Sequence, residues 1–370
     1  MSERKFWIGF NIVKGIGPAR VRALLDFFGD LGEAWRAPAD ALRAAGLDRR
    51  SLDSLLAARS TLDLEAEEAR VAAAGLQVLT WDEADYPRRL QEIPGPPPVI
   101  YVRGAITPAD DWALAVVGTR RATAYGREVT RQLAGAIAAS RVTIVSGLAR
   151  GIDAAAHQAA LDAGGRTIAV LGSGLDNIYP PEHRQMAEAI AASGALVSEF
   201  ALGTRPDSAN FPARNRIISG LAQGVLVVEA GETSGALITA HMAADEQGRP
   251  VFAVPGNILS RSSRGANKLI QQGAKVVLGA EDILEELNLT MVVQHSEARS
   301  ALPVNDTEIR LLNHLTVDPM HVDDIRTLAD MPIAEVSAAL AMMELKGLVR
   351  QVGGMNYVLA REKAGNYVVE

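Results

Sequence analysis

Seven short apolar runs recur along residues 113–278 and constrain the fold of this 370-residue chain more than any other feature. Most runs are followed by a Gly-containing turn and an Ala-rich segment with helical periodicity. Strands that are apolar along their whole length are typical of parallel sheets covered by helices on both faces. The pattern therefore predicts right-handed βαβ units in an α/β, doubly wound, mostly parallel sheet. The predicted strands are 113–117, 142–146, 167–171, 195–198, 224–228, 251–254 and 275–278.

The segments on either side of this sheet predict two smaller domains. Residues 1–80 have the pattern of short helices, and residues 303–370 predict three helices followed by a β-hairpin, as in a winged helix. We place the central domain at 81–288 and a polar linker at 289–302.

Two shorter segments have a distinctive composition. Gly15, Gly17 and Pro18 lie between two helical segments, beside basic residues. This is typical either of a helix-hairpin-helix that holds a DNA phosphate or of a tight turn with no such role. The Pro-rich residues 94–98 lead into an apolar run at 99–102. We expect this run to bridge two domains or to add an edge strand, because Pro is tolerated only at sheet edges.

Composition excludes several classes of protein. The chain has no cysteine, which excludes disulfides, thiol nucleophiles and cysteine-based metal sites, and suits a reducing compartment. No segment has the apolar length of a signal peptide or a membrane span, so we expect a soluble, cytoplasmic protein that binds no membrane. The net charge of −7 predicts weak attraction to nucleic acid at a distance, but it does not exclude a local anion site.

Basic residues cluster in the turns that follow the predicted strands. Residues 111–290 contain 16 Lys and Arg, and ten of these lie in the turns or within one helical turn of them. The carboxyl ends of parallel strands meet at one edge of a sheet, where helix N-termini and small residues favour a bound phosphate. We therefore predict an anionic ligand there, while noting that strand-to-helix turns need glycine in any case. The candidate contacts are Arg120, Ser146, Gly147, Arg150, Gly174, Arg184, Arg205, Asn210, Phe211, Arg214, Ser234, Gly235 and Lys268.

These turns lack the motifs of the common phosphate-binding enzymes. Gly172 and Gly174 are followed by Asn177 where a dinucleotide fingerprint needs its third glycine, and no Gly-Lys dipeptide exists for a Walker A loop. The six histidines have no metal-ligand spacing, and no nucleophile elbow is present. We therefore predict no metal, no cofactor and no catalytic residues. A basic edge that carries an aromatic such as Phe211 is instead typical of sequence-tolerant binding to single-stranded DNA.

At these turns the sequence resembles the DNA-processing protein A (DprA, or Smf) family, over about residues 80–290. The similar segments are 117–120, 146–153, 211–220, 229–230, 234–239 and 253–256. The resemblance implies an extended Rossmann-like domain, flanked by a SAM-like helical domain with a helix-hairpin-helix and by a winged helix. It also implies a homodimer that binds single-stranded DNA without catalysis, protects incoming strands in natural transformation, and loads the recombinase RecA past single-strand-binding protein.

The resemblance also assigns roles by position. Arg120 matches the family's DNA-contacting arginine, and Phe211 matches its base-stacking aromatic. Relatives often have a lysine three residues before this aromatic, where the present sequence has Ser208. We expect Arg205 or Arg184 to supply the missing phosphate contact.

Dimerisation in the family uses the last part of this domain. By position, the resemblance implies an interface that includes Ile270 and Val276. Packing in the core of the domain explains two such apolar residues equally well.

The predicted winged helix is acidic. Residues 301–360 carry four Lys and Arg against eight Asp and Glu, and the predicted third helix at 333–346 offers Glu335, Glu344 and Lys346. A helix that reads DNA needs basic and amide side chains. We therefore expect this domain to contact protein rather than DNA.

Two other functions remain open. A nucleotide-processing enzyme of the Lonely-guy-like phosphoribohydrolase type also binds phosphate at such turns. Its P-G-G-x-G-T-x-x-E run is absent from 229–235, the nearest stretch. A duplex DNA binder could use the hairpin at 15–17, because residues 1–60 carry ten Lys and Arg against seven Asp and Glu. This function could coexist with single-strand binding.

Overall fold

The computed structural model of the chain describes residues 4–287, 305–316, 319–345, 348–352 and 354–359. The chain divides into two compact units, Met1–Leu287 and Asn288–Glu370. The linker predicted at 289–302 lies outside the described residues. Within the described ranges, no helix has the length and apolarity that a bilayer crossing requires.

A nine-stranded sheet organises the first unit. Its strands are β1 (Gln77–Thr80), β2 (Val99–Gly104), β3 (Ala113–Val117), β4 (Thr143–Ser146), β5 (Thr167–Val170), β6 (Ala195–Ser198), β7 (Gly224–Val227), β8 (Val251–Ala253) and β9 (Lys275–Val276). Their order is β1-β2-β6-β5-β4-β3-β7-β8-β9. The seven strands from β3 to β9 pair in parallel, whereas β1 and β2 are antiparallel to their neighbours. The predicted mostly parallel, doubly wound sheet is confirmed.

Burial explains why these short runs form strands. All residues of the five strands β3, β4, β5, β6 and β7 are buried, as expected where helices cover both faces of a parallel sheet. The helices of this unit are α1 (Arg4–Ile12), α2 (Pro18–Phe28), α3 (Leu31–Arg36), α4 (Ala39–Ala44), α5 (Arg49–Thr61), α6 (Leu64–Ala73), α7 (Arg88–Gln91), α8 (Ala124–Ala139), α9 (Ile152–Asp162), α10 (Arg184–Ser193), α11 (Asn210–Gly220), α12 (Gly235–His241), α13 (Arg264–Gln271) and α14 (Glu281–Glu286). A π-helical turn, Met242–Glu246, continues α12, and 3₁₀ turns lie at Pro108–Asp111 and Pro181–His183.

The strand order reverses beside β3. The chain runs outward from β3 through β4 and β5 to β6, and then returns to place β7 on the other side of β3. Such a reversal leaves a crevice at the carboxyl ends of the two central strands, which is where open α/β sheets bind ligands.

The expectation for residues 99–102 is wrong, because β2 neither bridges two domains nor lies at the edge of the sheet. Tyr101 pairs with Val78 of β1 on one side and with Ser198 of β6 on the other. The prolines at 94–98 all precede the strand, so they remove no donor from its ladders. The edge position belongs to β1, and α1 packs against both β1 and β2. The N-terminal helices and the sheet therefore share one hydrophobic core.

The second unit is a winged helix, as predicted. Its helices are Asp306–Leu312, Val322–Ala329 and Ile333–Leu345, and its sheet has the order β10 (Met320–His321), β12 (Asn356–Leu359), β11 (Val349–Gln351). Leu311, Ile325 and Leu340 form the centre of a separate core. The turn between β11 and β12 includes Gly354 with φ +56°, while Gly353 lies outside the described residues.

Candidate functional site

A groove opens at the carboxyl ends of β3, β4 and β7, where the strand order reverses. Its volume is about 830 Å³. The turn at 118–121, the beginning of α11 and residues between 231 and 239 line it, together with Tyr179. The sheet topology therefore brings segments more than 100 residues apart in the sequence to one surface.

Phe211 is surrounded by cationic and aromatic side chains. The guanidinium carbon of Arg120 lies 5.2 Å from the centroid of the Phe211 ring, and that of Arg214 lies 6.0 Å from it. The ring of Tyr179 is 5.9 Å from that of Phe211, with the two planes inclined at 40°. Tyr179 is 40% exposed, and Arg120 is exposed. This surface offers positive charge for phosphates and ring faces for bases.

The end of β5 and the start of α11 fix the position of Phe211. Asn210 donates a hydrogen bond from Nδ2 to the carbonyl oxygen of Gly172, at 3.2 Å. A Cβ at Gly172 would lie 3.0 Å from Cδ1 of Phe211, so the ring packs directly over a position that must be small. Asn210 therefore anchors the helix that carries the ring.

Two oppositely charged side chains lie buried beneath the groove. Arg214 is 4% exposed, and its Nη1 donates to the carbonyl oxygens of Gly147, at 2.6 Å, and Val170. Asp153 is 6% exposed and accepts from the amides of Gly147, at 3.2 Å, and Ala149, at 3.4 Å. Burial raises the pKa of Asp153 to about 6 and lowers the pKa of Arg214 to about 10.

Arg150 is engaged in an ion pair. Its Nε lies 2.5 Å from Oε1 of Glu182, and both side chains are about half exposed. This pairing raises the pKa of Arg150 and lowers that of Glu182. Arg150 lines a smaller recess beside Arg120 and Phe211, so its charge is near the groove but partly neutralised.

The structure brings many of the predicted contact residues together. Arg120, Phe211, Arg214, Ser234 and Gly235 line the groove, and Gly147 and Arg150 line the adjoining recess. Ser234 is the N-cap of α12, where its Oγ accepts from the amide of Ala236 at 3.4 Å.

Other predicted contact residues lie elsewhere. Ser146 is fully buried and donates to the carbonyl oxygen of Val116, so it reaches no ligand. Gly174 is buried too, and a Cβ there would lie 2.6 Å from the carbonyl oxygen of Ala201. The following three are exposed but do not line the groove: Arg184, Lys268 and Arg205, of which Arg205 precedes the lining residue Pro206.

Tyr179 is the main groove residue that the sequence prediction missed. It lies in the turn after β5, so the rule that selected Arg120 in the turn after β3 could have found it. Arg121 and Asn215 also line the groove and were missed, although both are adjacent to selected residues.

The two predicted interface residues differ in exposure. Ile270 is partly buried and packs against the core, whereas Val276 is 42% exposed on the edge strand β9. Leu278, two residues further on, is 82% exposed. The exposed apolar surface at this edge is therefore formed by Val276 and Leu278.

The N-terminal hairpin has the predicted turn, and its Arg20 is engaged within the protein. Gly15 has φ +87°, and its carbonyl oxygen accepts from Arg20. Arg20 also pairs with Asp48 at 2.7 Å. Gly17 lines a small cavity together with Glu199, whose carboxylate is paired with Arg216 at 2.6 Å.

Carboxylates are sparse at the groove. The described residues contain no group of three or more His, Cys, Asp or Glu side chains that could hold a metal ion. Asp153 is the only carboxylate among the described groove-lining residues, and its oxygens already accept from two backbone amides.

Comparison with known proteins identifies the family. The family model described as DNA recombination-mediator protein A matches residues 77–288, and the model of the DprA winged helix domain matches residues 295–355. The chain belongs to the DNA-processing protein A family. It is 37% identical to Protein Smf of Synechocystis, over 96% of this chain and 98% of that protein. It is 43% identical to DprA of Bacillus subtilis, over 68% of this chain and 88% of that protein.

Solved structures of DprA have the same fold. DprA from Streptococcus pneumoniae superposes with a TM-score of 0.67 at 34% identity, covering 76% of this chain and 97% of that one. DprA from Helicobacter pylori, solved to describe its single-stranded DNA binding mode, superposes with a TM-score of 0.51 at 30% identity. That match covers 57% of this chain and 95% of the other.

Proposed function

We propose that this chain is a single-stranded DNA-binding recombination mediator of natural transformation, and that the groove binds the strand without catalysing a reaction. The observation that carries the proposal is the exposed Arg120 guanidinium 5.2 Å from the Phe211 ring. A single strand presents phosphates and base faces together, whereas a duplex stacks its base faces out of reach. The binding mode described for the Helicobacter pylori relative supports the same ligand.

Within the groove, the contacts divide by chemistry. Arg120 and Arg121 bind backbone phosphates, because an arginine fork matches the oxygens of a phosphate. Phe211 and Tyr179 hold bases by stacking, which tolerates any sequence.

Binding without chemistry fits the polar groups of the groove better than hydrolysis does. A phosphoribohydrolase needs a carboxylate that is free to act on the sugar or on water. Asp153 is instead buried and occupied by backbone amides. Glu229, at the end of β7, is also buried and accepts from the amide of Thr123 at 2.9 Å.

Competition binding tests this function. A labelled oligonucleotide is followed by fluorescence anisotropy while unlabelled single strand, blunt duplex or AMP is added at about 100 mM salt. We expect the single strand to compete at far lower concentration than the duplex or the nucleotide. Equal competition by duplex would favour the N-terminal hairpin, and efficient competition by AMP would favour a nucleotide-processing enzyme.

Homodimerisation and RecA loading are further parts of the proposal. The apolar surface of Val276 and Leu278 on the edge of the sheet supports an interface with a second copy. A chain with Val276→Asp and Leu278→Asp is then expected to be monomeric by light scattering and still to bind single strands.

RecA loading is tested by the rate at which RecA hydrolyses ATP on DNA coated with single-strand-binding protein. We expect this rate to increase when the present chain is added.

The winged helix is proposed to contact protein rather than DNA. Its third helix exposes Ile333 (43%) and Met342 (38%) beside Glu335 and Glu344. Apolar and acidic side chains of this kind suit a protein partner and repel a phosphate backbone.

A further inference from the structure

Both backbone polar groups of Gly147 are held by buried charged side chains from two different helices. Its amide donates to Asp153 of α9, and its carbonyl oxygen accepts from Arg214 of α11. Gly147 begins the turn that connects β4 to α9. Leu148, the next residue, has a positive φ of 57°, which is uncommon for a branched side chain. The turn therefore needs external support to keep its shape.

The turn at 147–151 supports the segment that carries Arg120. The amide of Ile152 donates to the carbonyl oxygen of Thr119 at 3.2 Å. A Cβ at Gly151 would lie 2.2 Å from that same oxygen and 2.9 Å from Cα of Arg120, so the two turns are in close contact. A shift of the turn at 147–151 would therefore move the backbone of Arg120.

Arg214 also links this turn to the aromatic ring. It lies three residues after Phe211, on the same face of α11, and its guanidinium is 6.0 Å from the ring centroid. The same guanidinium is bonded to the end of β5 through Val170. One buried side chain thus connects the turn after β4, the end of β5 and Phe211.

We propose that Asp153 and Arg214 are positioning residues, which hold Arg120 and Phe211 in the geometry for binding a single strand without contacting it. The inference rests on the proposed function. Burying two charges is costly, and apolar residues of similar volume would fill such a site without that cost. Their presence indicates that the groove needs the backbone shape that their hydrogen bonds hold. The residues at 4% and 6% exposure also leave little surface for a direct phosphate contact.

The dependence of affinity on salt separates positioning from direct contact. Each phosphate contact to a single strand contributes about −0.7 to the slope of log K against log salt. Arg214→Gln is expected to weaken binding about tenfold, because Phe211 and the backbone of Arg120 are both displaced. Arg120→Ala is expected to reduce the magnitude of the slope by about 0.7. In the Arg120→Ala background, Arg214→Gln should leave the slope unchanged, because the buried guanidinium contacts no phosphate itself. A further reduction of about 0.7 in that background would overturn the proposal, and so would unchanged affinity of Arg214→Gln alone.

A double-mutant cycle tests whether Arg214 acts through the ring. If it does, the affinity lost in Arg214→Gln combined with Phe211→Leu is smaller than the sum of the two separate losses. Additive losses would contradict the proposed route. If Arg120→Ala also leaves affinity unchanged, the groove itself is wrong and the proposed function fails, which is a different outcome from a failure of Arg214 alone.

A second variant disturbs Arg214 without removing charge, in case Arg214→Gln does not fold. A Cβ at Gly147 would lie 2.3 Å from Nη1 of Arg214, so Gly147→Ala displaces the guanidinium. We expect about tenfold weaker binding. Gly135→Ala is the matched control, since a Cβ there meets its nearest atom only at 3.9 Å. Equal affinity of the two variants would overturn the proposal.

Discussion

The guanidinium carbon of Arg120 lies 5.2 Å from the centroid of the Phe211 ring, although the two residues are 91 positions apart in the chain. The sheet brings them together because α11 returns the chain to β7, which pairs with β3. The pair combines a charge for the backbone of a nucleic acid with a ring face for its bases.

Removal of Arg120 should weaken the phosphate contact. We expect Arg120→Ala to cost about 1–3 kcal/mol of binding to a single strand, as for other hydrogen bonds to charged groups. Anisotropy titrations between about 50 and 300 mM salt measure both the loss and the slope. Arg184→Ala is the matched control, because Arg184 is exposed outside the groove. Equal losses in the two variants would mean that only overall charge matters.

Replacement of Phe211 should remove the contribution of the bases. Phe211→Leu keeps an apolar side chain over Gly172 but cannot stack, and we expect a loss of about 1–3 kcal/mol. The wild type should also bind an abasic strand more weakly than a strand with bases. For Phe211→Leu the difference between these two strands should become smaller. The same difference in both proteins would show that bases do not stack on this ring.

Neutralising Glu182 should strengthen binding. The ion pair with Arg150 is exposed to solvent, so it contributes little to stability. Glu182→Gln releases Arg150 beside the groove, so we expect tighter binding and a salt slope steeper by about 0.7. Glu128→Gln is the matched control, because Glu128 pairs with Arg131 at 2.6 Å on α8, outside the groove lining. Tighter binding by both variants to the same degree would indicate a general effect of charge.

The free energy of unfolding should depend on pH because the carboxyl of Asp153 is buried. Its pKa is raised by burial to about 6, against about 3.9 in an unfolded chain. Between these values the folded protein holds a proton that the unfolded chain releases. The stability that Asp153 contributes is therefore fully present below about pH 4 and falls by about 3 kcal/mol as the pH rises past 6.

Urea denaturation of the wild type and of Asp153→Asn, between about pH 4 and 7.5, measures this contribution as the difference between their free energies of unfolding. Burial lowers the pKa of His157 to about 3, so His157 also makes stability depend on pH, but it does so equally in both proteins and cancels in the difference. A stability difference that rises with pH would have the wrong sign for a buried, desolvated carboxyl.

Most of the fold could be predicted from the sequence because its strands are buried on both faces. Runs such as 113–117 and 224–228 are apolar throughout and alternate with helical segments, and a parallel sheet covered by helices hides both faces of such strands. The place of β2 could not be predicted in the same way. Its position inside the sheet depends on pairing with β1, and the edge strand is selected by the packing of α1 rather than by local composition.

The site was only partly predictable, because a side chain's surroundings are set by residues distant in sequence. Arg120 and Phe211 could be selected from their turns. The burial of Arg214 depends on its bonds to Gly147 and Val170, and the pairing of Arg150 depends on Glu182, 32 residues away. A count of arginines treats all of these alike. The structure separates exposed charge from charge that is already occupied.

Photo-crosslinking tests the central claim most directly. A single strand containing 5-iodouracil is bound to the full-length protein, irradiated, and digested for mass spectrometry, which identifies the residues that contact the bases. We predict adducts on Phe211 and Tyr179, and fewer adducts when Arg120→Ala weakens binding. Adducts confined to the N-terminal hairpin at 15–17, or to the winged helix at 305–359, would contradict the account.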